Sequence, residues 1–456
     1  MLTSLRTCRD EACLVPICTK LRKKGNLFAS HRKKENPFPV TTIPELTESV
    51  QTLLTTTANR LAVETKFIQR QRQVTGAGFA QTLVLGGLAD PEATRKQQQQ
   101  TAAKVGMKVS AQGLEQRFNP ASVDYMRRLL EAGLSLMVNS EQKRTLLPQF
   151  NGVYLTDCTR LEWEELGMKL AVRWELQSGH LQASLGELKQ HDQKTAIMAC
   201  ELPAGSLHLG DLGFFKLDRF ADWNQAGVYW LTRFKVGTLV YEADGQLLDV
   251  LTRLATAGRP VCMPVRIGAR KHLTAYLVAA PLPEDAYAKR LARLREAARL
   301  DQRPLSARQL AFAGWTIYLT NIPNLTFEQA HVLARTRWQI ELLFKLWKSH
   351  GKVLVSRSAD PLRQQCEGLA KLIGVLIAHW LLLVTGWHHD TLAALDALRI
   401  VKFHIPLLMR ALTRPQFWHE LFEWLSDDLA NAQRLSRRGK VPLAFQQWQD
   451  FDLVLP

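Results

Sequence analysis

A chain of 456 residues with 46% hydrophobic side chains is long enough for two to four domains and too apolar to be a disordered polymer. Its formal net charge of +17 points to a polyanionic partner. Nucleic acid is the commonest such partner, and an acidic membrane surface or a ribosome also suits the surplus. The longest apolar run, LIGVLIAHWLLLV (Leu372 to Val384), falls short of the roughly 20 residues a bilayer requires and reads as a buried core helix.

Residues 1–40 are a basic arm. The stretch LRKKGNLFASHRKKENPFP lacks the uninterrupted apolar segment of a signal peptide. Cys8, Cys13 and Cys18 match no common zinc spacing, so the seven cysteines read as free thiols in a reducing cytoplasm. Residues 41–150 form a helical region. Within it TAAKVGMKVSAQGLEQRF (Thr101 to Phe118) has the rhythm of two helices about a turn at Gly106, with Ser110 as a cap and Gln112, Gln116 and Arg117 exposed. That pattern fits a helix-turn-helix DNA reader or an ordinary helical hairpin.

From Gly152 the periodicity changes. GVYLTDCT is strand-like, KLAVRWELQSGHLQASLGEL reads as strand, Ser178-Gly179 turn, strand, and SLHLGDLGFF is a short apolar run. KLDRFADWNQAG has helical spacing and VYWLTRFK is a strand, so residues 151–236 read as three strands, a link, a strand, a helix and a strand. Residues 237–320 interrupt this as a β-rich insertion containing a strongly basic helix that reaches from about Lys289 to Arg308 and ending in the strand WTIYLTNIP. Residues 321–390 carry a long helix capped by Thr326 and a buried helix after it, and residues 391–456 are helical again.

The stretch RTRWQIELLFKLWKSHGK, Arg335 to Lys352, reads as one helix. Arg337, Glu341, Lys345 and Lys348 fall at i, i+4, i+8 and i+11 and share one face. Such a face is either a solvated row of ion pairs worth a few tenths of a kcal/mol each or a carboxylate placed among phosphate-binding cations. Two further carboxylates favour the second reading. Asp157 sits among β-formers, where Asp is disfavoured and its burial calls for a charged partner. Asp211 follows a second strand, as a site residue or a simple turn residue. Three carboxylates on two strands and a helix can hold Mg²⁺, a hard ion that prefers oxygen, and two such ions serve in-line phosphoryl displacement. On this reading Arg337 faces solvent when DNA is absent, and Arg337 and Lys348 hold the phosphates beside the reacting bond.

In this arrangement YLTDCT, GDLGFF, WTIYLTN and Arg337-x3-Glu341-x6-Lys348 occur in order, and the chain resembles the DDE transposases of insertion sequences. The likeness runs from about Val109 to about Leu412 and is nearest to the branch with a Tyr-x2-Arg-x3-Glu-x6-Lys signature and a β-strand insertion. The resemblance implies an α/β fold: a ribonuclease H-like mixed-sheet core between a helical N-terminal domain and a helical C-terminal region. It implies Asp157, Asp211 and Glu341 as catalytic and metal-binding residues, with two Mg²⁺ ions for which Mn²⁺ substitutes. It implies Arg335, Arg337, Lys345 and Lys348 as DNA contacts, in a bacterial or archaeal cytoplasm at the nucleoid. The partners it implies are the element's terminal inverted repeats and target DNA, bound by a homodimer in the synaptic complex. Ala334 occupies the position of the signature tyrosine, whose expected contact to the DNA backbone then falls to a neighbour such as Arg335. The branch passes through a hairpin at the transposon end, for which Trp315 is the candidate to stack a flipped base, with a place in the core as its other reading. Two alternatives stand beside transposition: a nuclease without strand transfer and a non-catalytic DNA-binding protein.

Overall fold

The computed structural model describes residues 40–432, except 71–72, 145, 164–165, 303 and 390–391, together with 448 and 451–455. The basic arm expected over residues 1–40 lies, but for Val40, outside the described residues.

Helices α1 (Ile43–Thr52), α2 (Ala58–Glu64), α3 (Gly76–Ala89), α4 (Arg95–Lys104), α5 (Ala111–Glu115) and α6 (Pro120–Leu134) come first. Thr42 and Glu45 cap α1 reciprocally, Thr94 and Gln97 do the same for α4, and Asn119 with Pro120 starts α6. The turn at Gly106 (φ +83°) and the Ser110 cap on Gly113 appear where the sequence puts them. The helix beyond that cap is short, with Gln112, Gln116 and Arg117 exposed.

The sheet follows as β1 (Val153–Trp163), β2 (Leu166–Glu175), β3 (Leu181–Glu187), β4 (Leu207–Gly210), α7 (Leu217–Gln225) and β5 (Tyr229–Arg233). Next come β6 (Val240–Tyr241), α8 (Val250–Ala257), β7 (Val261–Ile267), β8 (Leu273–Pro281), α9 (Glu284–Leu300), α10 (Ala307–Ala313) and β9 (Trp315–Thr320). All nine strands share one sheet in the order β3-β2-β1-β4-β5-β9-β8-β7-β6. β1, β4 and β5 are parallel and the rest antiparallel, so the first five strands have the ribonuclease H-like arrangement. β9 pairs with both β5 and β8, so the inserted strands extend the core sheet and make no separate layer.

The insertion corrects two expectations. A helix, α8, stands between its first two strands, capped by Asp249 and ended by Gly258 in the left-handed region. The basic helix stops at Leu300: Gln302 has φ +51°, and Ser306 caps a new helix, so Arg308 belongs to α10.

The chain closes with α11 (Phe327–Thr336), α12 (Trp338–Lys345), α13 (Pro361–Thr385), α14 (Ala394–Phe403), α15 (Ile405–Thr413) and α16 (Phe417–Asn431). The single helix expected from Arg335 to Lys352 is interrupted at Arg337, where a tight turn brings the Ile340 N–H to the Arg337 carbonyl at 3.2 Å. It then widens into a π turn over Leu346–His350, which buries the consecutive pair Leu346 and Trp347. The extra residue per turn carries Lys348 off the line of Lys345.

α13 is long and apolar enough to cross a bilayer, yet 89% of its most apolar stretch is buried within the fold, packed between α3 and α6. Its polar end binds the first helices to the core. The Arg363 Nε donates to Glu367 at 2.8 Å, Gln98 Nε2 donates to the same carboxylate at 2.8 Å, and Arg363 also pairs with Glu115 of α5. The sheet separates two cores: Val153, Leu155 and Leu161 join the α3, α12 and α13 side, while Tyr154 joins the α7 and insertion side. Strand alternation therefore turns Asp157 toward the helices and not toward the insertion.

Candidate active site

The parallel pairing of β1 with β4 sets Thr156 level with Gly210. The next residues, Asp157 in the middle of β1 and Asp211 just past the end of β4, therefore follow side by side. Asp211 is extended and exposed, and its carbonyl accepts the Phe214 N–H at 2.9 Å to start a tight turn. Asp157 Oδ1 accepts the Cys158 N–H at 2.7 Å, and its Oδ2 accepts Arg337 Nη1 at 3.3 Å. The Arg337 Nη2 donates to Glu341. Arg337 thus stands between two carboxylates that are 184 positions apart in the chain.

This corrects the expectation that Arg337 faces solvent: its side chain is only 13% exposed, against 18% for Asp157 and 31% for Glu341. The interruption of the helix at Arg337 gives the guanidinium its approach to β1. Placed there, it compensates carboxylates that would otherwise repel at close range.

Asp157 is held above the usual carboxylate range, at about 6. Burial is the main cause, with smaller contributions from the Asp211 and Glu341 charges; the Cys158 N–H and Arg337 oppose the rise. The Asp211 and Glu341 charges are thus both felt at Asp157. Among the described residues no three His, Cys, Asp or Glu side chains are gathered tightly enough to form a ready-made metal cage. The arrangement is a set of carboxylates partly compensated by Arg337, whose oxygens are the donor type that hard divalent ions prefer.

The remaining sequence candidates surround this cluster unevenly. Lys345 is exposed one turn beyond Glu341. Lys348 is half-buried, its ammonium pushed below the ordinary lysine value by burial, and feels Glu162 far along β1 from Asp157. Arg335 is exposed. Trp315 opens β9, which runs antiparallel to β5, so it lies at the same end of the sheet as Asp211. It is half-buried against the insertion-side core.

Two residues escaped the sequence reading. Trp338, next to Arg337, is 53% exposed, which is unusual for so large an apolar surface. The signal lay in the motif itself, where Trp338 follows Arg337. Arg233 ends β5 and, with Arg290 and Arg335, lies near Tyr318, while Arg335 and Arg233 also lie near His331. Burial first, then Arg335 and Arg233, hold His331 below its ordinary value, and its Nδ1 shares a 2.9 Å hydrogen bond with the Tyr318 hydroxyl. This makes a second basic surface near the sheet end, drawn from three separate segments.

Residues 157–377 match the family described as the transposase DDE domain, a span that runs from Asp157 through Glu341 into α13. The chain is 25% identical to the transposase for insertion sequence element IS231F of Bacillus thuringiensis subsp. israelensis, over 84% of this chain and 90% of that protein. It is 26% identical to the transposase for insertion sequence element IS1151 of Clostridium perfringens, over 70% of this chain and 76% of that one. Residues 157–377 are therefore similar to the transposase DDE domain, and most of the chain is similar to insertion-sequence transposases.

Proposed function

We propose that the protein is the transposase of an insertion sequence, cutting DNA at the element's terminal inverted repeats and joining the 3′ ends to target DNA. One observation carries this reading: Arg337 pairs with Asp157 of β1 and Glu341 of a distant helix, and the register of β1 with β4 sets Asp211 next to Asp157. Asp157, Asp211 and Glu341 are the residues to hold two Mg²⁺ ions, with Mn²⁺ as a substitute. When bound, such a pair activates a water or a 3′-hydroxyl and stabilises the leaving oxygen of an in-line displacement.

The chain's own residues supply the rest. Arg337 reaches both carboxylates and offers its planar donors to a phosphate beside the reacting bond. Lys345, Arg335 and Arg233 present exposed cations around the same end of the sheet, and Lys348 extends that surface along β1. Trp338 offers a free aromatic face one turn before Glu341, and Trp315 a partly covered one, to a base removed from its stack. The spacing Arg337-x3-Glu341-x6-Lys348 supports the Tyr-Arg-Glu-Lys branch, with Ala334 in the tyrosine position. Joining two ends to one target calls for two copies of the chain in the DNA-bound assembly.

Pre-cleaved end duplexes incubated with supercoiled target and Mg²⁺ test the reading. Joined products support a transposase. Cutting of uncleaved ends without joining would favour a nuclease, and binding of ends by the wild-type protein with neither cutting nor joining would favour a non-catalytic DNA-binding protein.

A further inference from the structure

The Asp211 carboxylate accepts no hydrogen bond among the described residues, so its position is set by the turn that carries it. That turn rests on a segment between β3 and β4. Asp192 opens a short 3-10 turn, Asp192–Lys194, and its Oδ1 accepts Lys169 Nζ at 2.8 Å. Lys169 lies on β2, its side chain only 11% exposed, and donates also to the Gln190 carbonyl. The thiol of Cys158, next to Asp157 on β1, is pushed up chiefly by burial and also by the nearby charge of the same carboxylate. On its other side Asp192 Oδ2 lies against Gly213, two residues past Asp211, where a Cβ would collide with it. The neighbouring Gln193 Nε2 donates to the Phe215 carbonyl at 2.9 Å. Asp192 therefore lies near β1 one residue beyond Asp157, and Asp192 and Gln193 touch the turn two to four residues beyond Asp211.

We propose that Asp192, fixed by Lys169, is a positioning residue that sets the spacing of Asp157 and Asp211 and thereby the site's affinity for a divalent ion. The proposal rests on the metal site described above. Asp192 acts through the backbone segments that bear the two ligands, as supporting carboxylates and amides do around metal sites, where their loss typically weakens metal binding about 10–100-fold. Glycine at 213 is the steric counterpart of the brace, since only a residue without Cβ lets the carboxylate lie against the turn.

The test is calorimetric titration of the full chain with MnCl₂ in the absence of DNA, on Asp192→Asn, Gly213→Ala and Asp157→Asn, with thermal melts to confirm folding. Asp192→Asn and Gly213→Ala are expected to bind Mn²⁺ roughly tenfold or more weakly. In cleavage of end duplexes both are expected to raise the Mg²⁺ concentration for half-maximal rate far more than they lower the rate at saturating Mg²⁺. Gly213→Ala keeps the Lys169–Asp192 charges, so it decides the question if Asp192→Asn fails to fold. Wild-type Mn²⁺ affinity in the folded brace variants, with affinity lost in Asp157→Asn, would overturn the brace and leave the metal site standing. Wild-type affinity in Asp157→Asn would remove the metal site and the brace with it.

Discussion

Asp157→Asn should stabilise the metal-free protein at alkaline pH while abolishing catalysis. The carboxyl rises from 3.8 to about 6 on folding, chiefly through burial. The folded state thus holds the proton more tightly than the unfolded chain. The favourable contribution is fully present below pH 3.8 and is lost as pH rises through about 6. The interval corresponds to about 3 kcal/mol at most, at about 1.4 kcal/mol per pH unit. Asparagine keeps the shape without the charge but gives up the ionic contact with Arg337, so a net gain of about 2 kcal/mol at pH 8 is expected. Near pH 4 the two proteins should be equally stable. Urea denaturation with a chelator at pH 4, 6 and 8 measures the difference. Saturating Mg²⁺ should narrow or reverse it, because only the wild type gains stability from the bound ion. An asparagine variant less stable than the wild type at pH 8 in chelator would show that Asp157 is a net stabilising partner of Arg337, and the account of a charge-strained site would fall.

Glu341→Gln should retain affinity for DNA ends in a mobility-shift assay, yet cleave them at least 10³-fold more slowly, since ligand charge is lost with little change of shape. Arg337→Ala should cost about 3 kcal/mol of stability at pH 8 and much less at pH 5, where a protonated Asp157 no longer needs the guanidinium; equal losses at the two pH values would refute the pairing. Lys348→Ala should flatten the salt dependence of end binding by about one phosphate contact, a slope change near 0.9 in log–log form; an unchanged slope would remove it from the interface. Trp338→Ala should leave the melting temperature nearly unchanged, since the ring is half exposed, and should slow cleavage of intact ends more than joining of pre-cleaved ones.

Local signals carried much of the architecture. Alternating apolar residues marked β1, the Ser178-Gly179 turn marked the β2–β3 hairpin, and Thr326 marked the start of α11, each through contacts within a few residues. Gly179 has φ +76°, and a side chain there would meet Leu383 and Trp387, so the turn residue also serves packing from two hundred positions away. The family spacing brought Asp157, Asp211 and Glu341 to attention together.

What spacing could not convey was depth. Helical periodicity places Arg337 and Glu341 on one face but says nothing of what lies opposite, and the opposing group, Asp157, is 180 residues upstream. Only the pairing of β1 with β4 and the packing of α12 on that side of the sheet turned a row of surface charges into a compensated cluster. The same packing buries Leu346 and Trp347 together in a π turn, which helical periodicity does not foresee and which takes Lys348 off the line of Lys345. Residue type and local pattern therefore determined which groups the chain possesses and which elements carry them. Their charge state and reach were decided by desolvation and by neighbours from distant segments, which come into being only when the sheet and helices close on one another.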